Sequence, residues 1–226
     1  MLLFLASVVP WRGAVRIKRL MNKPDLTAAD RLSLYGSTIL SQWLMVAVVV
    51  WRCVARAVDP GELGLVGVNS SRIVWSTVAL TGLLCANQVM GLRKIASLPE
   101  GKRGALFAIT QKIMPTDLTE SLLFAALACT AGLSEEFVYR GFVFMAFERM
   151  TVNYSPPAAL ASFLSSALFS MAHLYQGRRG FITTFVVGMI FALVRVWTGS
   201  LIPVIVAHIA IDLVAGILAP RFLRRV

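Results

Sequence analysis

Six ionisable side chains lie in apolar surroundings along the second half of the chain: Glu135, Glu136 and Arg140, then His173, then His208 and Asp212. Charge is costly in hydrocarbon and is kept there for an internal partner or for chemistry. On a helix Glu136 and Arg140 are one turn apart on one face and can pair. Glu135 points about 100° away, free for other work. Phe169 and His173 share the same spacing, as do His208 and Asp212. His173 and His208 are the only two histidines of the chain. This set can hydrolyse a bond in two ways. A glutamate takes a proton from water while imidazoles orient the water or stabilise an oxyanion. Alternatively Glu135, His173 and His208 hold a divalent metal such as zinc, which acidifies the water. Neither route needs a covalent nucleophile, and neither a Gly-x-Ser-x-Gly elbow nor a His-Glu-x-x-His helix is present. The competing reading is structural: an ion pair and a His–Asp pair that only pin helices together.

The elements that must position these groups are membrane helices. Of the 226 residues 58% are hydrophobic, and the mean hydropathy of +0.75 is high for a water-soluble domain. Spans are predicted at about 34–55, 73–92, 118–146, 158–174, 181–197 and 202–218, most near the roughly 20 residues that a hydrocarbon core demands. The fold class is therefore all-α, a polytopic transmembrane bundle of about six spanning helices. A short apolar segment, Met1–Val9, precedes them as an interfacial anchor or the end of a further span. Trp11–Lys23 reads as a basic, partly amphipathic segment on the membrane surface. Residues 105–114 are predicted as a short interfacial helix. The stretch from 118 to 146 exceeds one span and must tilt or break, with Gly132 and Gly141 as the weak points. Thr198-Gly199-Ser200 marks a tight turn before the last span.

The formal net charge of +11 fits cytoplasmic loops better than nucleic acid, since the basic residues fall between apolar spans and form no groove-reading motif. Six spans from an inside amino terminus put the basic stretches 12–23, 93–112, 178–179 and 221–225 on one side. Only Arg52 and Arg56 disagree. Both termini are accordingly expected in the cytoplasm, in a bacterial cytoplasmic membrane. The organisation reads as a membrane region over 1–117, a catalytic core over 118–218 and a basic tail over 219–226. Cys53, Cys85 and Cys129 lie in apolar runs and read as reduced fillers.

Glu135-Glu136-x-x-x-Arg140, Phe169-x-x-x-His173 and His208-x-x-x-Asp212, in this order on successive segments, resemble the three motifs of the CPBP (Abi) family. That group holds the type II CAAX prenyl endopeptidases and bacteriocin-processing or immunity proteins. The similarity covers about residues 118–216 and extends to Thr198–Pro203. It implies an intramembrane endopeptidase acting on a membrane-associated protein or peptide. Glu135 would activate water, supported by Glu136 and Arg140. His173 would position the water or the glutamate, and His208 with residue 212 would stabilise the oxyanion. Position 212 is often Asn in the family; an ionised Asp cannot donate to an oxyanion, so Asp212 would instead orient His208 or act protonated. The family leaves metal-dependent and metal-free hydrolysis both open. A non-catalytic immunity or scaffold protein of the same fold is the alternative. A proton-coupled transporter is disfavoured by the lack of an internal repeat.

Simple counting leaves one conflict. Glu135 falls about 17 residues into its segment, roughly 25 Å at helical rise, whereas His173 falls at the inner end of its own. The two meet only if one helix is displaced, broken or tilted, around a water-accessible cavity open to the cytoplasmic side.

Overall fold

The computed structural model describes residues 2–66, 70–99, 103–154 and 156–223, and among them it is entirely helical. Its helices are α1 (Leu2–Met21), α2 (Ala28–Val54), α3 (Ser71–Ala96), α4 (Gly104–Ile113), α5 (Leu118–Glu136), α6 (Phe144–Met150), α7 (Pro157–Ala172), α8 (Gly177–Thr198) and α9 (Ile202–Leu223). A π-helical segment, Phe137–Val143, joins α5 to α6 without a break, giving a 33-residue rod from Leu118 to Met150. Thr27 and Asp30 close a reciprocal capping box at the start of α2, and Asp117 caps α5 through the Glu120 amide. Each satisfies a donor that the helix start leaves orphaned.

Five helical stretches are long and apolar enough to cross a membrane: α2, α3, the Leu118–Met150 rod, Leu174–Thr198 and α9. Their lipid-facing sides carry exposed Trp43, Leu44, Trp51, Trp75, Leu83 and Trp197. So much exposed apolar surface needs lipid around it. The expected sixth span, α7, has only 16 residues, about 24 Å at helical rise, and is shorter than the hydrocarbon core.

Side-chain partners fix the helix directions. Arg31 meets Glu120, the Tyr35 and Phe124 rings lie 5.6 Å apart, and Gln42 meets Glu135, so α2 and α5 run parallel. Leu80 packs in one buried cluster with Val204 and Ala207, and Leu92 in another with Ala219, so α3 and α9 also run parallel. α5 and α9 cross in opposite senses, with Gly132 against Ile205 and Ile209 and Phe124 against Gly216. In chain order α2, α3, α5 and α9 thus run alternately up and down. We call the end where α2 and α5 start the near end, and the other the far end.

The amino-terminal segments differ from expectation. The apolar stretch 2–9 and the basic stretch 11–21 are continuous rather than separate. Residues 2–21 form the single helix α1, which stands along the bundle. Gly13 lies against Tyr175, Arg16 donates to Thr38 and to the Leu34 carbonyl, and Lys112 holds the Met21 carbonyl at the near end. Leu5 is buried in the same cluster as Val49, Cys53 and Leu168. One face of the apolar half of α1 thus packs on the core, while Leu3 and Phe4 stay exposed. The basic half ends beside α4, the short near-end helix predicted at 105–114. α9 continues through Ala219, buried against Leu92, as far as Leu223. Of the basic residues read as the tail, Arg224 and Arg225 lie outside the described residues.

The two glycines expected to weaken the long segment have separate functions. Gly132 lies in regular helix, where a Cβ would come within 2.5 Å of Ile209 Cγ1 and 3.0 Å of Ile209 N. It is a point of close helix approach. Gly141 lies within the π segment, where the change of hydrogen-bond register occurs, and a Cβ there would sit 3.2 Å from the Leu63 carbonyl.

Candidate active site

Three helices deliver the six residues to one place. The end of α5 supplies Glu135 and Glu136, the π segment Arg140, the C-cap of α7 His173, and the first half of α9 His208 and Asp212. The conflict over His173 disappears because α7 does not reach the near end. Glu135 lies 15 residues before Met150 in the rising arm, and His173 lies 16 residues after Pro157 in the returning arm. The hairpin arms are matched, so both residues sit at the same depth. A Leu174–Gln176 3₁₀ turn reverses the chain there, mid-bundle, and α1 fills the space beneath α7.

Glu136 and Arg140 are fully buried and pair as their spacing predicts, Nη1 to Oε1 at 3.1 Å. The guanidinium lies over the Phe169 ring at 4.2 Å and the Phe191 ring at 5.4 Å. Phe169 of the second motif thus supports the cation, a contact of roughly 0.5–2 kcal/mol. Gly188 keeps this pocket open, since a Cβ would sit 3.1 Å from Arg140 Nη2. Glu136 Oε2, Arg140 Nε and Nη2, and the hydroxyls of Ser134 and Ser166 are buried without a protein partner. That group of polar atoms is suited to internal water.

His208 Nδ1 lies 2.6 Å from Glu136 Oε1. A carboxylate only accepts, so Nδ1–H donates and the ring turns Nε2 toward Asp212 Oδ2, 3.7 Å away. The residue that orients His208 is therefore Glu136, a contact between two motifs that spacing within either cannot show. Asp212 stands on the open side of the ring, its side chain 37% exposed.

Glu135 turns away from Glu136 as helical geometry requires. Its Oε1 accepts from Gln42 Nε2 at 2.8 Å, and its Oε2 faces His173 Nε2 across 4.0 Å. His173 Nδ1 lies 2.9 Å from the Phe169 carbonyl, which can only accept, so the proton of the neutral ring is on Nδ1 and the Nε2 lone pair faces Glu135. Two acceptors thus confront each other across a gap too wide for a hydrogen bond. A water at about 2.8 Å from each would donate one O–H to each. Glu135, His173 and His208 are partly exposed, at 20%, 16% and 13%, whereas Glu136 and Arg140 are at 0%. The accessible and the sealed members of the site are thus separate sets.

The metal alternative named Glu135, His173 and His208. Among the described residues no group of three or more His, Cys, Asp or Glu side chains converges to hold a metal ion. The 4.0 Å between Glu135 Oε2 and His173 Nε2 exceeds the roughly 3.3 Å between two ligands of a tetrahedral zinc at about 2.0–2.1 Å. The donor set does not fit that ion as it stands.

Fold and site together define an all-helical membrane protein with a partly accessible Glu–His cleft at mid-bundle. The family model described as type II CAAX prenyl endopeptidase Rce1-like matches residues 117–214. That region carries all six residues and is Rce1-like in family, in agreement with the resemblance of the three motifs. No curated protein and no solved structure matches the chain.

Proposed function

We propose that the protein is an intramembrane endopeptidase that hydrolyses a peptide bond of a membrane-associated protein or peptide with water activated by Glu135. The observation that carries this reading is Glu135 Oε2 and His173 Nε2 facing each other across 4.0 Å, both side chains partly exposed. A water between them is oriented by both, and Glu135 takes its proton as the oxygen attacks the carbonyl carbon. The carbonyl oxygen becomes an oxyanion. When it collapses, the C–N bond breaks and the proton held by Glu135 passes to the leaving nitrogen. Peptide and water are consumed, and acid and amine are produced.

His208 Nε2 is the donor best placed for the oxyanion. Its Nδ1–H is spent on Glu136, so Nε2 donates only when the ring is protonated. Glu136 and Asp212 on either side of the ring provide the counter-charge for that form. Arg140 neutralises and holds Glu136, which holds His208. The near end gathers Lys18, Arg19, Lys23 and Lys112 and faces the cytoplasm on the positive-inside rule. This side also carries the end of α9.

The test is cleavage of lipid-anchored and transmembrane peptides by the purified protein in liposomes, with Glu135→Ala and His208→Ala as controls. Each substitution is expected to abolish cleavage. Activity surviving both refutes the site, and a biological effect that persists in Glu135→Gln points instead to a non-catalytic binding protein of the same fold.

A further inference from the structure

Glu135 has a neighbour that none of the three motifs supplies. Gln42 lies on α2, outside residues 117–214, and its Nε2 sits 2.8 Å from Glu135 Oε1. It immediately precedes the uninterrupted apolar run Trp43–Trp51. A primary amide costs free energy in such surroundings unless it is paired. Because a carboxylate only accepts, the amide NH₂ must face Glu135, which turns Gln42 Oε1 into protein, where it is buried with no donor. A polar tie serving helix pairing alone gains nothing from that orphaned oxygen. Nor does the α2–α5 pair need another tie for register. Arg31 already holds Glu120 through Nε and Nη2, both at 2.8 Å, with Tyr35 packed edge-on to Phe124.

We propose that Gln42 is a positioning residue for Glu135, a proposal that rests on the reading of Glu135 as the water-activating group. The terminal torsion of a glutamate is broad and two-fold, so a carboxylate anchored only by its own stem swings. Gln42 holds Oε1, and the geometry of the carboxylate then leaves Oε2 aimed at His173 Nε2. The first helix of the bundle to pair with α5 thereby completes the site. α2 takes part in the reaction without touching the reacting atoms.

The test uses the full-length protein in liposomes and the nearly isosteric Gln42→Met, which removes the donor and keeps the volume. Infrared spectra of protein carrying ¹³C-glutamate are compared between wild type and Gln42→Met, and again with Glu135→Gln in both. A shifted carboxylate band in the first comparison that vanishes in the second is expected; superimposable spectra in the first would overturn the contact. In kinetics on a lipid-anchored fluorogenic peptide, kcat is expected to fall about 10- to 100-fold, the scale of one hydrogen bond to a charged group. KM and the melting temperature should stay close to wild type. An unchanged kcat, or an equal further loss when Gln42→Met is added to Glu135→Gln, refutes the positioning role. If the wild type cleaves nothing, the peptidase reading fails, and the infrared comparison alone decides whether Gln42 holds Glu135.

Discussion

Gly132 offers a sharp test of how the site is assembled, because it lies outside the chemistry yet sets the spacing between two of its helices. In Gly132→Ala the new Cβ would meet Ile209 Cγ1 at 2.5 Å and Ile209 N at 3.0 Å, where ordinary contact begins at 3.4 Å. The Ile209 side chain can rotate away, but its backbone nitrogen cannot, so α5 and α9 must part by about 0.4 Å or more. His208 is the preceding residue, held to Glu136 at 2.6 Å. Overpacking of this kind costs about 1–3 kcal/mol, partly offset by the roughly 0.5–1 kcal/mol by which Ala exceeds Gly in helix. The melting temperature in detergent should fall by a few degrees. Cleavage should fall further, about tenfold or more, because the charge-assisted contact to His208 lengthens. Gly36→Ala, Gly82→Ala and Gly91→Ala are matched controls. All three are helical, nothing lies within 4 Å of the added Cβ, and each should be neutral or slightly stabilising. If Gly132→Ala melts and cleaves like these controls, the close approach of α5 and α9 does not set the His208–Glu136 geometry.

Other substitutions separate the sealed part of the site from the open part. Arg140→Met leaves Glu136 buried without its cation and should cost about 3–5 kcal/mol, read as loss of folded protein in detergent; Glu136→Gln/Arg140→Met together should recover much of that stability without recovering cleavage. Glu135→Gln, by contrast, keeps a partner for Gln42 and should melt like wild type while losing cleavage by about 100-fold or more. Arg31→Met leaves the fully buried Glu120 without its cation, with Thr116 as its remaining donor, and should lower the melting temperature with kcat per folded molecule unchanged. Exhaustive chelation should leave cleavage intact, given a donor set that does not converge among the described residues; activity lost and then restored by one divalent ion would move the water-activating step onto that ion.

The membrane class and most span positions were legible because hydropathy and helix length are properties of local sequence. The short helix at 105–114 was legible for the same reason, as were the paired faces of Glu136 and Arg140. That residues 2–21 form one helix was not legible, because its halves differ in composition. The basic half suggested a surface, and only packing against α7 and α2 shows that both halves stand in one helix. α7 was misread as a full span because apolar sequence does not say how deep a helix begins. Its depth follows from the length of the preceding rod. Gln42 carried no signal at all, since a single amide within an apolar helix has no spacing partner on its own element.

The sequence by itself determined which groups are available: one carboxylate to pair with Arg140, one left over, two imidazoles and an aspartate, each on a helix the bilayer obliges to satisfy its own backbone. Tertiary structure decided which of them meet. The matched arms of the α5–α7 hairpin bring His173 level with Glu135, and the glycine contact at Gly132 lets α9 approach until His208 reaches Glu136. Partners within four residues of each other on one helix are written in the chain. Partners on different helices depend on relative depth and separation, which packing alone sets.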